Sequence, residues 1–311
     1  MRVIEKLAKS IVAVFLTLLV GMGIAQAQER YIYVTHGQSG DAFWDVVKNG
    51  AQTAAGELGV ILDYRSPAQF SGAEMAKMIN EAVASKPDGL VVSIPDADAL
   101  SDAIKNAVEK GIPVISINSG EDFSSEFGAI MHIGQSEYAA AEKAGIFMGK
   151  HGVTNGLCVN HEPDNVGLLA RCDGFIEGLG GSGDVLDVSS NPQQIETAVE
   201  NYLKEHPEVN GILTLSTLSA EPSLKAIAAS GSSVKLGTFD LSTDVLQNVS
   251  KGRIMFALDQ QQYLQGYMPL VVLHNYNRAA LLPSENIQTG PNMITQDKAQ
   301  AVIGYTQEKM R

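Results

Sequence analysis

From Tyr31 onward, short apolar runs alternate with amphipathic stretches. Few folds accept that order, because parallel strands need long crossovers, helices fill them, and both faces of the sheet end up covered. Residues 31–35, 60–64, 89–94 and 113–117 read as strands. Between them Val47, Ala51, Ala54 and Leu58 share one helical face, and Met75, Met78, Ile79, Ala82 and Val83 share another. Breakers stand where each unit must turn: Lys86-Pro87-Asp88-Gly89 and Lys110-Gly111-Ile112-Pro113. The rhythm then starts again, with strands expected over 156–160, 185–188, 211–215 and 235–239. The pattern predicts an α/β chain of two doubly wound parallel-sheet lobes. A strand at 254–258, a helix from 263 to about 278 and a last helix over 297–309 are too little for a third domain. They must pack onto the lobes already made, so the chain crosses between lobes several times and the crossings form a hinge.

The beginning of the chain carries Arg2, Lys6 and Lys9, an apolar run over 11–20, then Ala25-Gln26-Ala27. Charge, apolar core and small residues in that order predict a secretory signal cleaved after Ala27. The apolar run falls short of the roughly 20 residues a spanning helix needs. Neither of the two cysteines, Cys158 and Cys172, lies near the cleavage point, so no lipid anchor is expected. Residues 28–311 suffice for two domains of ordinary size. They keep 19 basic and 34 acidic residues, a net charge of −15. A surface this acidic repels phosphate backbones, so nucleic acid is excluded as a partner. An oxidising compartment lets Cys158 and Cys172 pair, and no Cys-x-x-Cys or ligand-spaced His favours a redox or metal role.

Several local signatures, taken in order, resemble the periplasmic ribose- and galactose-type sugar-binding proteins, whose fold also serves lac-repressor-like sensors. They are Asp41-Ala42-Phe43-Trp44, residues 113–118 (PVISIN), residues 133–136 (IGQS), residues 171–175 (RCDGF), residues 206–209 (HPEV), residues 237–240 (GTFD) and Asp259-Gln260. The resemblance covers nearly all of the chain after the signal. It implies a type I periplasmic binding protein with a three-segment hinge near 131–134, 256–260 and 290–294. The lobes are then 28–132 plus 260–291 and 133–259 plus 292–311. It also implies a monomer that captures a monosaccharide or polyol in the periplasm for the permease of an ABC transporter. A protein that presents its ligand to a chemotaxis or kinase receptor is the alternative. No cofactor or metal is expected.

A polyhydroxyl ligand offers hydroxyls around apolar C–H faces, so its site needs planar polar groups and aromatic rings. Candidates stand where strands end and helices begin, the place where open α/β sheets bind ligands. The resemblance places Phe43 and Trp44 over the sugar ring, with Asp41 a ligand acceptor; the alternative is Asp41 as a helix cap with both rings buried in the lobe. Asn118 and Ser119 end a strand with an amide and a hydroxyl, although Asn-Ser-Gly is also turn chemistry. Arg171 supplies a fork of donors that can span two hydroxyls. Asp240 is an acceptor or a cap, and Asp259 with Gln260 touches substrate or braces the hinge. His36, next to Gly37, is either a satisfied structural residue or, in its uncharged form, a partner for ligand hydroxyls. Ser216 and Thr217 complete the set.

The ribose binders that the chain resembles carry Asp-Arg where Asn118-Ser119 stands, Asn where Asp41 stands and Asn-Asp where Ser216-Thr217 stands. Ribose is therefore disfavoured, because a hydrogen-bonding site discriminates strongly when one partner changes. An enzyme is not expected. Residues 178–183 (GLGGSG) match a dinucleotide spacing but follow a helix and precede a strand, the reverse of what that motif needs. A transcriptional sensor would need a DNA-binding head where this chain has its signal.

Overall fold

The computed structural model describes residues 28–38 and 41–311; the expected signal, 1–27, lies outside the described residues. The first lobe runs β1 Arg30–Val34, α1 Ala42–Leu58, β2 Ile61–Arg65, α2 Gly72–Ala84, β3 Gly89–Ser93, α3 Ala97–Glu109, β4 Val114–Ile117, a short α4 Glu121–Ser124 and β5 Met131–Gly134. The second runs α5 Glu137–Lys150, β6 Gly156–Asn160, α6 Val166–Gly178, β7 Gly183–Asp187, α7 Pro192–Glu205, β8 Gly211–Thr214, α8 Thr217–Ser230, β9 Lys235–Phe239, α9 Thr243–Ser250 and β10 Phe256–Asp259. Then come α10 Gln262–Ala279, β11 Ile287–Gln288, β12 Asn292–Thr295 and α11 Gln296–Gln307.

The sheets are ordered β11-β5-β4-β3-β1-β2 and β12-β10-β9-β8-β6-β7. Every pairing is parallel except β12 against β10. The chain leaves the first sheet after Gly134, returns after Asp259, and leaves again between Gln288 and Asn292. The segment 131–134 is thus the fifth strand of the first sheet, with the passage to the second lobe directly after it. Residues 178–183 form the turn from α6 to β7, where Gly180 and Gly181 take φ of +86° and +81°.

Strands covered on both faces read as unbroken apolar runs, and β3 and β6 are buried at every residue. Helices start on side-chain caps: Asp41, Ser71, Asp96, Ser136, Asn165 and Ser242 each accept a backbone N–H of the first turn. In the first lobe α10 returns from the second sheet to lie on α1. The contact is close because Gly266 faces the Val47 carbonyl oxygen, where a Cβ would find no room. That packing fixes the angle at which α1 presents its first turn to the space between the lobes.

Candidate ligand-binding site

Strand ends of both lobes converge on one cavity. The first lobe contributes His36 beyond β1, Asp41, Phe43 and Trp44 at the start of α1, and Asn118 beyond β4. The second contributes His161 and Glu162 beyond β6, Leu168 and Arg171 from α6, Leu215, Ser216 and Thr217 beyond β8, and Asp240 beyond β9. Gln260 lines it from the second crossing. Ten of the sequence candidates therefore meet here: His36, Asp41, Phe43, Trp44, Asn118, Arg171, Ser216, Thr217, Asp240 and Gln260.

Two candidates do not line the cavity. The Ser119 hydroxyl donates to Asn118 Oδ1 at 3.2 Å and packs against Gly167. The Asp259 carboxylate accepts from the Gln261 N–H at 2.9 Å and pairs with Arg311. In return His161, Glu162, Leu168 and Leu215 line it without having been expected. His161 and Glu162 occupy a strand end like the other polar residues, and that position was the available signal.

Asp41 is a helix cap, its Oδ1 accepting from the Phe43 N–H at 2.9 Å, and it also lines the cavity. Phe43 and Trp44 stand edge to face with centroids 5.2 Å apart, and Trp44 meets the His36 ring at 4.6 Å. Arg171 is fixed on three sides. Nε and Nη2 donate to Glu137 at 2.7 and 3.0 Å, Nη1 donates to the Leu215 carbonyl at 2.7 Å, and the guanidinium lies 4.1 Å from the Phe239 ring centre. A guanidinium has five N–H donors, so two make no hydrogen bond among the described residues. The Cys158–Cys172 disulfide ties α6, one residue after Arg171, to β6.

The lobes are closed on each other. Asn165 at the start of α6 donates its Nδ2 to His36 Nε2 at 3.4 Å and to Glu162 at 2.8 Å, while Val166 N–H donates to the Pro95 carbonyl at 2.9 Å. Because Asn165 Oδ1 accepts from Gly167 N–H, its amide orientation is set, and His36 Nε2 must be the acceptor. His36 is therefore neutral, with its proton on Nδ1 shared with Ser93 Oγ at 2.8 Å. Burial first, then Arg171, lowers His36 to about 3 and His161 to about 4. Burial likewise pushes the Asp41 carboxyl up to about 6 and Asp240 up to about 7, the latter against Arg171 and Gln260, and it raises Glu162.

His161 Nδ1 and Ser216 Oγ, buried atoms of two residues that line the cavity, have no hydrogen-bond partner among the described residues. Buried polar groups are nearly always paired, so both are available to whatever fills the space. Rings on one side, acceptors around the rim and two further guanidinium donors can hold an uncharged ring bearing several hydroxyls.

Residues 32–279 match the periplasmic binding protein domain. A carbohydrate transporter from Acidothermus cellulolyticus 11B, solved in complex with myo-inositol, is 33% identical with a TM-score of 0.88, covering 91% of this chain and all of that one. The xylose/arabinose-binding protein of Sulfolobus acidocaldarius is 26% identical over 262 residues, 76% of this chain and 65% of that protein's length. The ribose import binding protein of Haemophilus influenzae is 24% identical over 277 residues, 85% of this chain and 91% of that protein.

Proposed function

The chain belongs to the periplasmic binding protein family, and from that premise we propose that it captures a monosaccharide or polyol in the periplasm and delivers it to the permease of an ABC transporter. On this reading residues 1–27 are removed on export and the monomer works as a clamp of two lobes. Sugar bridges the open walls, and the closed form persists because only it makes contacts from both lobes at once. The protein binds without turnover and needs no cofactor.

The observation that carries the reading is the charge balance of the closed cavity. Asp41, Glu162 and Asp240 line it as acceptors, whereas the charge of Arg171 is already matched by Glu137. Such a site favours an uncharged ligand rich in hydroxyl donors and repels sugar acids and sugar phosphates. The departures from ribose binders at Asp41, Asn118, Ser119, Ser216 and Thr217 support a polyol, a cyclitol included, or a monosaccharide other than ribose. The myo-inositol held by the Acidothermus relative supports the same direction.

A thermal-shift screen of pentoses, hexoses, tetritols, pentitols and inositols tests it, since a ligand at 100 times its Kd stabilises by about 2.7 kcal/mol. Failure of every compound in that set to move the transition refutes the sugar class. Recovery of the bound compound chemically altered refutes binding without turnover.

A further inference from the structure

Beyond α11 the chain leaves the second lobe. That helix packs on α9 and β12, and at Lys309 a left-handed φ of 52° turns the backbone toward the first lobe. The Lys309 carbonyl accepts from Asn49 Nδ2 at 2.9 Å, and its Nζ pairs with the Asp45 carboxylate at 3.0 Å. Asp45 and Asn49 are one turn apart on α1, the helix whose first turn carries Phe43 and Trp44. Two residues further on, Arg311 pairs with Asp259, whose side chain is fully buried at the second crossing. Gln261, beside it, donates its Nε2 to the Thr289 carbonyl at 2.6 Å, on the third crossing. Residues 309–311 thereby connect α1, two hinge segments and the end of α11.

We propose that residues 308–311 form a strap that holds the lobes closed, with Arg311 anchored on Asp259 at the hinge and Lys309 gripping α1. The strap sets how long a captured solute is retained, which rests on the binding function proposed above. Its physical basis is twofold. Lys309 bonds to a helix of the opposite lobe, so a rotation that parts the lobes breaks both of its contacts. Arg311 compensates a carboxylate that has no access to water in the closed form, and burial without that cation disfavours the charge. Opening lets Asp259 hydrate, so loss of Arg311 favours the open form.

Two kinds of variant test the strap, and neither touches the cavity. Lys309→Asp alters an exposed side chain that cannot unfold the protein, and Asp45→Lys combined with Lys309→Asp restores the pair in reverse. Arg311→Ala removes the anchor, and Asp259→Asn combined with Arg311→Ala removes the buried charge that needed it. Small-angle scattering without any sugar reads the open and closed populations independently of the ligand's identity. Dissociation of the sugar found by the screen reads the consequence. We expect both single variants to shift scattering toward the open form and to raise koff, about threefold for Lys309→Asp and tenfold or more for Arg311→Ala. Both double variants should return toward the original values. Unchanged scattering in the single variants, or double variants that restore nothing, overturns the strap. Failure of the sugar screen alone leaves the scattering test standing.

Discussion

Asn118 and Asp240 occupy equivalent points of the two lobes, each the first residue past the fourth strand of its sheet and each held at left-handed φ, 60° and 68°. The Gln260 amide lies between them, accepting from Asn118 Nδ2 at 3.5 Å and donating to Asp240 Oδ1 at 2.5 Å. Left-handed backbone disfavours side chains other than Gly, with Asn and Asp the best tolerated. Asn118→Gly should therefore leave stability to urea unchanged or higher while weakening sugar binding about tenfold, from loss of the amide. Asn118→Ala should lose both. Gln260→Ala should weaken binding at least as much, since it removes the group joining the Asn118 donor of one lobe to the Asp240 acceptor of the other. A stability loss in Asn118→Gly with affinity intact would show that the amide serves the fold rather than the ligand.

Glu137 makes Arg171 a fixed donor. Removing one partner of a buried pair leaves an uncompensated charge, and such losses run to about 3–5 kcal/mol. Both side chains are at least nine-tenths buried. Glu137→Ala should lower unfolding stability on that scale and weaken sugar binding, although Glu137 does not line the cavity. Arg171→Ala should weaken binding tenfold or more, about 1.5–3 kcal/mol for a charged hydrogen bond. Calorimetric titration alongside urea unfolding separates the two effects, and unchanged affinity in Arg171→Ala removes that residue from the site.

Affinity and the stability contributed by the two buried carboxyls should depend on pH with opposite signs. Burial raises Asp240 to about 7 and Asp41 to about 6 from an ordinary 3.8, so the folded protein holds these protons more tightly than the unfolded chain. Their contribution to stability is complete below about pH 3.8 and is lost as pH rises through 6 and 7. His36 and His161, lowered to about 3 and 4, contribute above 6.5 and lose that contribution as pH falls. A hydroxyl donated to Asp240 favours its ionised form, so sugar affinity should tighten from pH 5 to 8. Asp240→Asn leaves both histidines in place, and its difference from the parent protein isolates the carboxyl. A binding curve against pH that is equally steep in Asp240→Asn assigns the effect elsewhere.

The disulfide acts on the same helix as Arg171. Cys158 and Cys172 are 14 residues apart, and cross-linking a loop of that size stabilises by about 3 kcal/mol. Reduction, or replacement of both cysteines by Ala, should cost about that much in urea unfolding. Sugar affinity should fall with it, because β6 no longer anchors α6. Equal stability with and without reductant excludes a structural role for the bond.

The long periodic segments were legible in the sequence because twelve or more residues carry a helical period and turn residues frame each strand. β5, β11 and β12 were not: β5 stands where the resemblance puts a crossing, and β11 and β12 pair with the remote strands β5 and β10. The polar strand ends of the site were legible for a topological reason: parallel strands deliver their carboxyl ends to one edge. His161 and Glu162 sit at such an end but in no recognisable motif. Glu137 looked like any acidic first-turn residue, and only the fold brings it to Arg171, 34 positions away. Asp259 resembled Asp240 locally, yet its partner Arg311 lies 52 residues further on. Pairings of that range are invisible to local pattern.

Trp44 is the chain's only tryptophan, 7% exposed in the closed cavity between the His36 and Phe43 rings. Its emission therefore reports the cavity without interference from another indole. If the protein opens when empty, the ring meets water and emits at longer wavelength, and sugar should shift the emission to the blue while closing the lobes. Trp44→Phe keeps a ring face for C–H contacts and should retain most of the affinity. Trp44→Ala removes it and should weaken binding by roughly 1–3 kcal/mol, the scale of a large buried ring lost from an interface. A sugar that binds in calorimetry without moving Trp44 emission would show that closure already exists in the empty protein. Equal affinity in Trp44→Ala would place the ring in the lobe's core and take it out of recognition.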